Sequence, residues 1–162
     1  MKEDFIYYLW ENRLLSPNLK TTEDEELTIL SVGTRNHDSG ADYNNARIKI
    51  GGTLWAGQVE IHVRASDWFR HQHQYDESYD NVILHVVYEN DTDMLKIPTL
   101  EIKDKFDISL YDNYNSFVNS KNWIPCGELI ESLLPIIIIY CQSKVQIITF
   151  LFKMFYKHSV QP

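Results

Sequence analysis

Between Arg47 and Arg64 apolar and polar side chains alternate with a period of two on either side of Gly51-Gly52. Few arrangements other than a β-hairpin satisfy that pattern. Ile48 and Ile50 alternate with Arg47 and Lys49, and Val59, Ile61 and Val63 alternate with Glu60, His62 and Arg64. Successive residues of a strand point to opposite faces, so the aliphatic set goes one way and the ionisable set the other. The glycine pair suits a two-residue turn because glycine accepts positive φ. The segment 38–67 therefore predicts two strands, with Asp42 just before the first and Glu60 and His62 on the second.

The chain has 162 residues, one domain's worth, and 44% hydrophobic with 13% aromatic content supplies a packed core. A net charge of −8 argues against a surface coated in basic residues for nucleic acid or anionic lipid, leaving only a local basic groove. Cys126 and Cys141 are neither closely spaced nor part of a larger set, and acids stand at the N-terminus where a signal peptide carries basic and apolar regions. A cytoplasmic location with reduced thiols is expected.

Phe5 to Leu15 carries Phe5, Ile6, Leu9, Trp10 and Leu14 at helical spacing, and Ser16-Pro17 is expected to end that helix. A short strand is expected over Leu27–Val32, behind the solvated acidic loop Glu23–Glu26. Ser66-Asp67 would cap a helical turn through Trp68, Phe69 and Arg70. Val82–Tyr88 is nearly unbroken apolar, as a strand covered on both faces should be. Ile97–Ile102 would be its neighbour, with Pro98 hinting at an edge, and a last helix from Asp107 to about Ser120 would turn Leu110, Tyr114, Phe117 and Val118 inward. Trp55, Trp68, Phe69, Tyr75 and Tyr79 are expected to be mostly core. This order gives an α/β or α+β domain, a mixed β-sheet with flanking helices.

Past Cys126 the character changes. Residues 1–126 carry 12 basic and 21 acidic side chains; residues 127–162 carry 3 and 2, with seven isoleucines. Gln142, Lys144, Gln146 and Lys153 interrupt this apolar text before the roughly 18 to 20 residues a membrane span requires. The expectation is an aberrant tail over 127–162, from a truncated or frame-shifted reading frame, after a domain at 1–126.

Two constellations carry chemistry. Asp42, Glu60 and His62, with Glu3 as a fourth member, offer carboxylate oxygens of the kind Mg²⁺ or Mn²⁺ takes; such an ion activates water and stabilises charge on a phosphodiester. The competing reading is that Glu60, His62 and Arg64 line the wet face of a half-exposed strand. The second set, His62, His71 and His73 near Asp67 and Asp76, suits Zn²⁺ less securely: no Cys pairs or HExxH helix accompany it, and His71 and His73 share a side only in an extended segment. His85 reads as a hydrogen-bonded core residue. No G-x-S-x-G elbow, phosphate-cradling glycine loop or activated cysteine is evident.

The ordered residues Asp38-x-Gly40-Ala-Asp42-Tyr43, Asn45-Ala-Arg-Ile48, Trp55-Ala-Gly57-x-Val-Glu-Ile-His62, Ser66-Asp-Trp68, His71-x-His73, Tyr79–Val87 and Trp123-Ile-Pro-Cys126 resemble the N-terminal part of an uncharacterised bacterial family, domain of unknown function 2851. The resemblance covers residues 3 to 128 and brings no activity with it. A more distant similarity is to the PD-(D/E)XK restriction-endonuclease-like fold, in which Asp42 matches the first acid and Glu60 the second, while His62 stands where a lysine is expected. That similarity implies a metal-dependent nuclease: Asp42 and Glu60 hold Mg²⁺ or Mn²⁺, His62 activates water, and Arg64, Arg47 and Lys49 hold the nucleic acid backbone. The excess of acids over 1–126 opposes it, because electrostatic attraction supplies most non-specific affinity for nucleic acid. The alternatives are a non-catalytic ligand-binding or scaffold module using the same polar face, and a zinc hydrolase using His62, His71 and His73.

Overall fold

The computed structural model describes residues 1–119. The chain divides into a unit at Met1–Tyr114 and another at Asn115–Pro162; the fold below is that of the first. The tail expected at 127–162 lies outside the described residues.

A helix α1 (Glu3–Glu11) opens the chain. Seven strands follow, interrupted once: β1 (Leu19–Lys20), β2 (Glu26–Ser31), β3 (Thr34–Arg35), β4 (Tyr43–Ile50), β5 (Thr53–Arg64), β6 (Val82–Glu89) and β7 (Thr99–Glu101). Between β5 and β6 run a short helix α2 (Asp67–Arg70) and two 3₁₀ turns, His73–Tyr75 and Glu77–Tyr79, and α3 (Ser109–Asn119) follows β7. The sheet order is β1-β2-β4-β5-β6-β7, with β3 also on β4. Pairing is antiparallel from β1 to β5 and parallel from β5 through β7, so the expected mixed α+β sheet is present.

The Gly51-Gly52 turn is where the alternation placed it, with both φ values positive (53° and 92°) and Ile50 opposite Thr53. A bulge at Asn44-Asn45, where Asn45 has φ 59°, keeps Tyr43 and Ala46 on the same face. That face carries the main core: Phe5, Ile6, Leu9 and Trp10 of α1 lie on Ile48, Val59, Ile61, Leu84, Val86 and Leu100. Phe5 also meets Phe106, Tyr111 and Tyr114 with ring centroids 5.0 to 5.4 Å apart.

Helix α1 ends earlier than Pro17 suggests. Arg13 takes a left-handed φ of 53°, its N–H reaches the Trp10 carbonyl, and Leu14 N–H reaches the Leu9 carbonyl. This is a Schellman closure without glycine, and it packs Leu14 on the core. Three other expectations change. Ser66 does not cap α2 with its side chain; its backbone and hydroxyl bond the Asp91 carboxylate at 2.8 and 2.7 Å. Trp55 and Tyr75 are exposed, whereas Trp68 is buried. Phe117 and Val118, expected inward, are exposed.

The other face of β5 and β6 lies under the crossover. Trp68 packs there with Ala41 and Val82, flanked by Phe69 and Tyr79. A parallel connection must leave the sheet and return over it, so this pairing puts a cover above the even-numbered residues of β5.

Candidate metal centre

Glu60 and His62 are on that covered face, only 5% and 2% exposed, so the wet-strand reading is overturned. The alternation is real, but both faces of this part of the strand are buried, one by α1 and one by the crossover.

His62 meets three other imidazoles. Its Nε2 is 3.1 Å from Nδ1 of His71, and its Nδ1 is 2.8 Å from Nε2 of His85. The His62 and His73 rings stack at 5.3 Å. Neither an extended segment nor a continuous helix turns His71 and His73 toward His62: Gln72 between them is left-handed, φ 64°, and this kink swings both rings inward. One ligand atom from each of His62, His71 and His73 lies within 4.8 Å of the others.

Glu60 adjoins this trio. Its Oε1 is 3.4 Å from His62 Nε2 and 3.3 Å from His73 Nε2. Neither contact has hydrogen-bond geometry, and His73 Nε2 is buried with no hydrogen-bond partner among the described residues. Nor are these ion pairs, because burial holds His73 below its ordinary pKa and drives His62 down to about 2. Burial, reinforced by the Asp42 charge, pushes Glu60 up to about 8. The result is two neutral imidazoles, His62 and His73, beside a carboxyl that resists ionising, with His71 at the exposed edge of the group, an arrangement a cation would relieve.

Asp42 meets Glu60 through the backbone. Glu60 Oε2 accepts from the Asp42 N–H at 3.1 Å, and Asp42 Oδ2 accepts from the Ile61 N–H at 2.9 Å. Tyr7 donates to Asp42 Oδ1 at 2.8 Å. Both Asp42 oxygens thus already serve protein donors, and burial raises this carboxyl too. Glu3 accepts from the Val63 backbone; burial and then the Asp42 charge raise its pKa. Asp42 and Glu60 are thus linked through backbone N–H groups, with Asp42 bracing the strand.

The accessory residues divide. Arg64 is exposed at the end of β5, its N–H bonded to Asp67 Oδ2 at 3.2 Å. Arg47 and Lys49 share the sheet face of Glu60, but pair with Ala56 and Leu54. Four and six residues before Glu60 is about 13 and 20 Å along the strand.

His85, Trp68, Tyr79 and Tyr7 were not foreseen as neighbours of the site. Tyr79 stacks on His73 at 3.9 Å, and Trp68 lies edge-on to His73 and His85 at 5.3 and 5.5 Å. The one signal for His85 is its position as the polar residue in an apolar strand, which the pairing sets opposite Glu60.

No curated protein and no solved structure matches this chain. No helix among the described residues is long and apolar enough to cross a membrane. The model of one family, described as a protein of unknown function (DUF2851), matches residues 3–153, beyond the stretch that carried the resemblance, and the chain belongs to that family.

Proposed function

We propose that His62, His71 and His73 hold a transition-metal ion, Zn²⁺ being the best fit, and that Glu60 serves as the acid–base group of a hydrolytic centre. The carrying observation is the convergence of three imidazole donors within 4.8 Å, where His73 also has a buried Nε2 with no hydrogen-bond partner among the described residues. Tetrahedral zinc with Zn–N near 2.0–2.1 Å needs donor separations of about 3.3–3.4 Å. The 3.1 Å between His62 and His71 is close to that, and a small inward rotation of His73 would complete the set. Neutral imidazoles favour zinc over Mg²⁺, which prefers oxygen ligands.

Three-histidine catalytic sites keep a fourth position for water, whose proton the metal acidifies. Glu60, beside two of the ligating nitrogens, is placed to accept that proton. A bound cation would favour its ionised form, converting a carboxyl that is protonated near neutrality into a base. Asp42 would hold Glu60 from behind through its backbone N–H.

The test is metal content and affinity of the purified full chain, by elemental analysis and calorimetry. One zinc per chain with a Kd of micromolar or tighter, lost in His62→Ala and His73→Ala, is expected; Glu60→Gln should keep the ion and lose turnover of activated esters or phosphodiesters. Absence of zinc binding by the unmodified chain would remove the proposal.

A second reading is the Mg²⁺- or Mn²⁺-dependent nuclease of restriction-endonuclease-like type on Asp42 and Glu60. Its support is the mutual electrostatic crowding of Glu3, Asp42 and Glu60. Against it stand the protein donors already on both Asp42 oxygens. Mn²⁺ binding abolished by Asp42→Ala but not by His71→Ala would favour this reading. If the chain binds neither ion, the face is a scaffold or ligand-binding surface.

A further inference from the structure

Nitrogens of two buried imidazoles that face each other at 2.8 Å share one hydrogen, since two would collide and none would set lone pair against lone pair. The hydrogen between His62 Nδ1 and His85 Nε2 belongs to one ring or the other, and the choice fixes the far nitrogen of each neutral ring. If it sits on His62, then His62 Nε2 is bare and His85 carries its hydrogen on Nδ1. That Nδ1 is fully buried with no hydrogen-bond partner among the described residues, so its N–H would be orphaned. If it sits on His85, the orphan is only a bare nitrogen, and His62 Nε2–H can donate to His71 Nδ1 at 3.1 Å. The second arrangement suits the protein without metal; only the first presents a lone pair on His62 Nε2.

We propose that metal entry switches this buried pair from one tautomeric state to the other, and that His85 is a positioning residue that fixes His62 Nε2 as the ligating atom. This rests on the three-histidine reading above. The step is charge-neutral: the shared proton crosses from His85 Nε2 to His62 Nδ1, His62 Nε2 gives up its proton to solvent, and His85 Nδ1 takes one up. His85 then accepts from the ligand's second nitrogen, the role that outer partners of metal-bound histidines commonly play. Edge-on contact with Trp68 holds the His85 ring in place for it.

Two measurements on the full chain decide the matter. Long-range ¹H–¹⁵N correlation spectra, with histidine ¹⁵N-labelled, separate the two neutral tautomers. Before zinc, His62 and His85 should both be protonated at Nε2; at one equivalent of zinc, both should be protonated at Nδ1. Zinc bound with the His85 pattern unchanged would overturn the switch. In calorimetry, His85→Leu should weaken zinc about 10- to 100-fold, and an affinity equal to the unmodified chain would overturn the positioning role. Should that variant fail to fold, the spectra of the unmodified chain still decide. If zinc does not bind at all, the metal reading and the switch fail together, while the metal-free spectra still report the His62–His85 hydrogen bond by itself.

Discussion

Glu60 is buried at the centre as a carboxyl that resists ionising, and that has a pH signature. Its pKa in the folded chain, about 8, stands above an ordinary value of 4.5, so folding favours the protonated acid. The associated stability is fully present below pH 4.5 and is lost as pH rises through 8. His62 works oppositely: depressed from 6.5 to about 2, it contributes stability above pH 6.5 that is lost as pH falls. Metal-free Glu60→Gln should therefore gain on the unmodified protein by about 1 kcal/mol per pH unit between these Glu60 values. Urea denaturation across that range checks it, and parallel curves would show that Glu60 is not buried as a carboxyl. Gln72 offers a conformational test. Gln72→Gly should retain zinc affinity, while Gln72→Val, β-branched at φ 64°, should lose about 1–2 kcal/mol of stability and much of the metal binding. At this scale the sequence exposed the participants unevenly. His62, His71 and His73 were visible as a set, but the left-handed kink that joins them was not, because glutamine carries no signal for positive φ. His85 was hidden because its meeting with His62 depends on the pairing of two distant strands.

Among the elements, the hairpin was the most legible, since alternation and a glycine pair are local and mutually consistent. Strands β1 and β3, two residues each, have no periodicity to read, and they form because longer neighbours offer backbone partners. The end of α1 was misplaced for a related reason. Proline at 17 is a visible stop, yet the chain had already turned at Arg13, where the closure depends on Leu14 finding the core. Gly57 marks a close approach between β5 and the start of β6: a Cβ there would sit 2.5 Å from Ile83 Cγ2 and 2.7 Å from the Asn81 carbonyl oxygen. Gly57→Ala should cost about 2–3 kcal/mol by overpacking at this close approach. Chemical denaturation measures it, and a near-neutral result would mean that β5 and β6 can separate locally without penalty.

Over the whole Met1–Tyr114 unit, the site is assembled from the strand β5 and from the crossover that leaves it and returns as β6. Composition and element order gave a mixed sheet with helices, but not which neighbours run parallel, and parallel pairing is what folds His71 and His73 back over His62. An ion bound by all three would join the cover to the sheet, so zinc at 100 times its Kd should stabilise the chain by about 2.7 kcal/mol. Hydrogen exchange should localise the added protection to Asp67–Tyr79; protection spread evenly, or confined to the Gly51-Gly52 hairpin, would place the ion elsewhere. Trp68 gives the same event an optical readout. Its indole is seated between His73 and His85, two rings that reorient or change tautomer if an ion arrives. The chain's own fluorescence should thus report metal occupancy without a dye, and replacing Trp68 with phenylalanine should silence that signal while the emission of Trp10 persists.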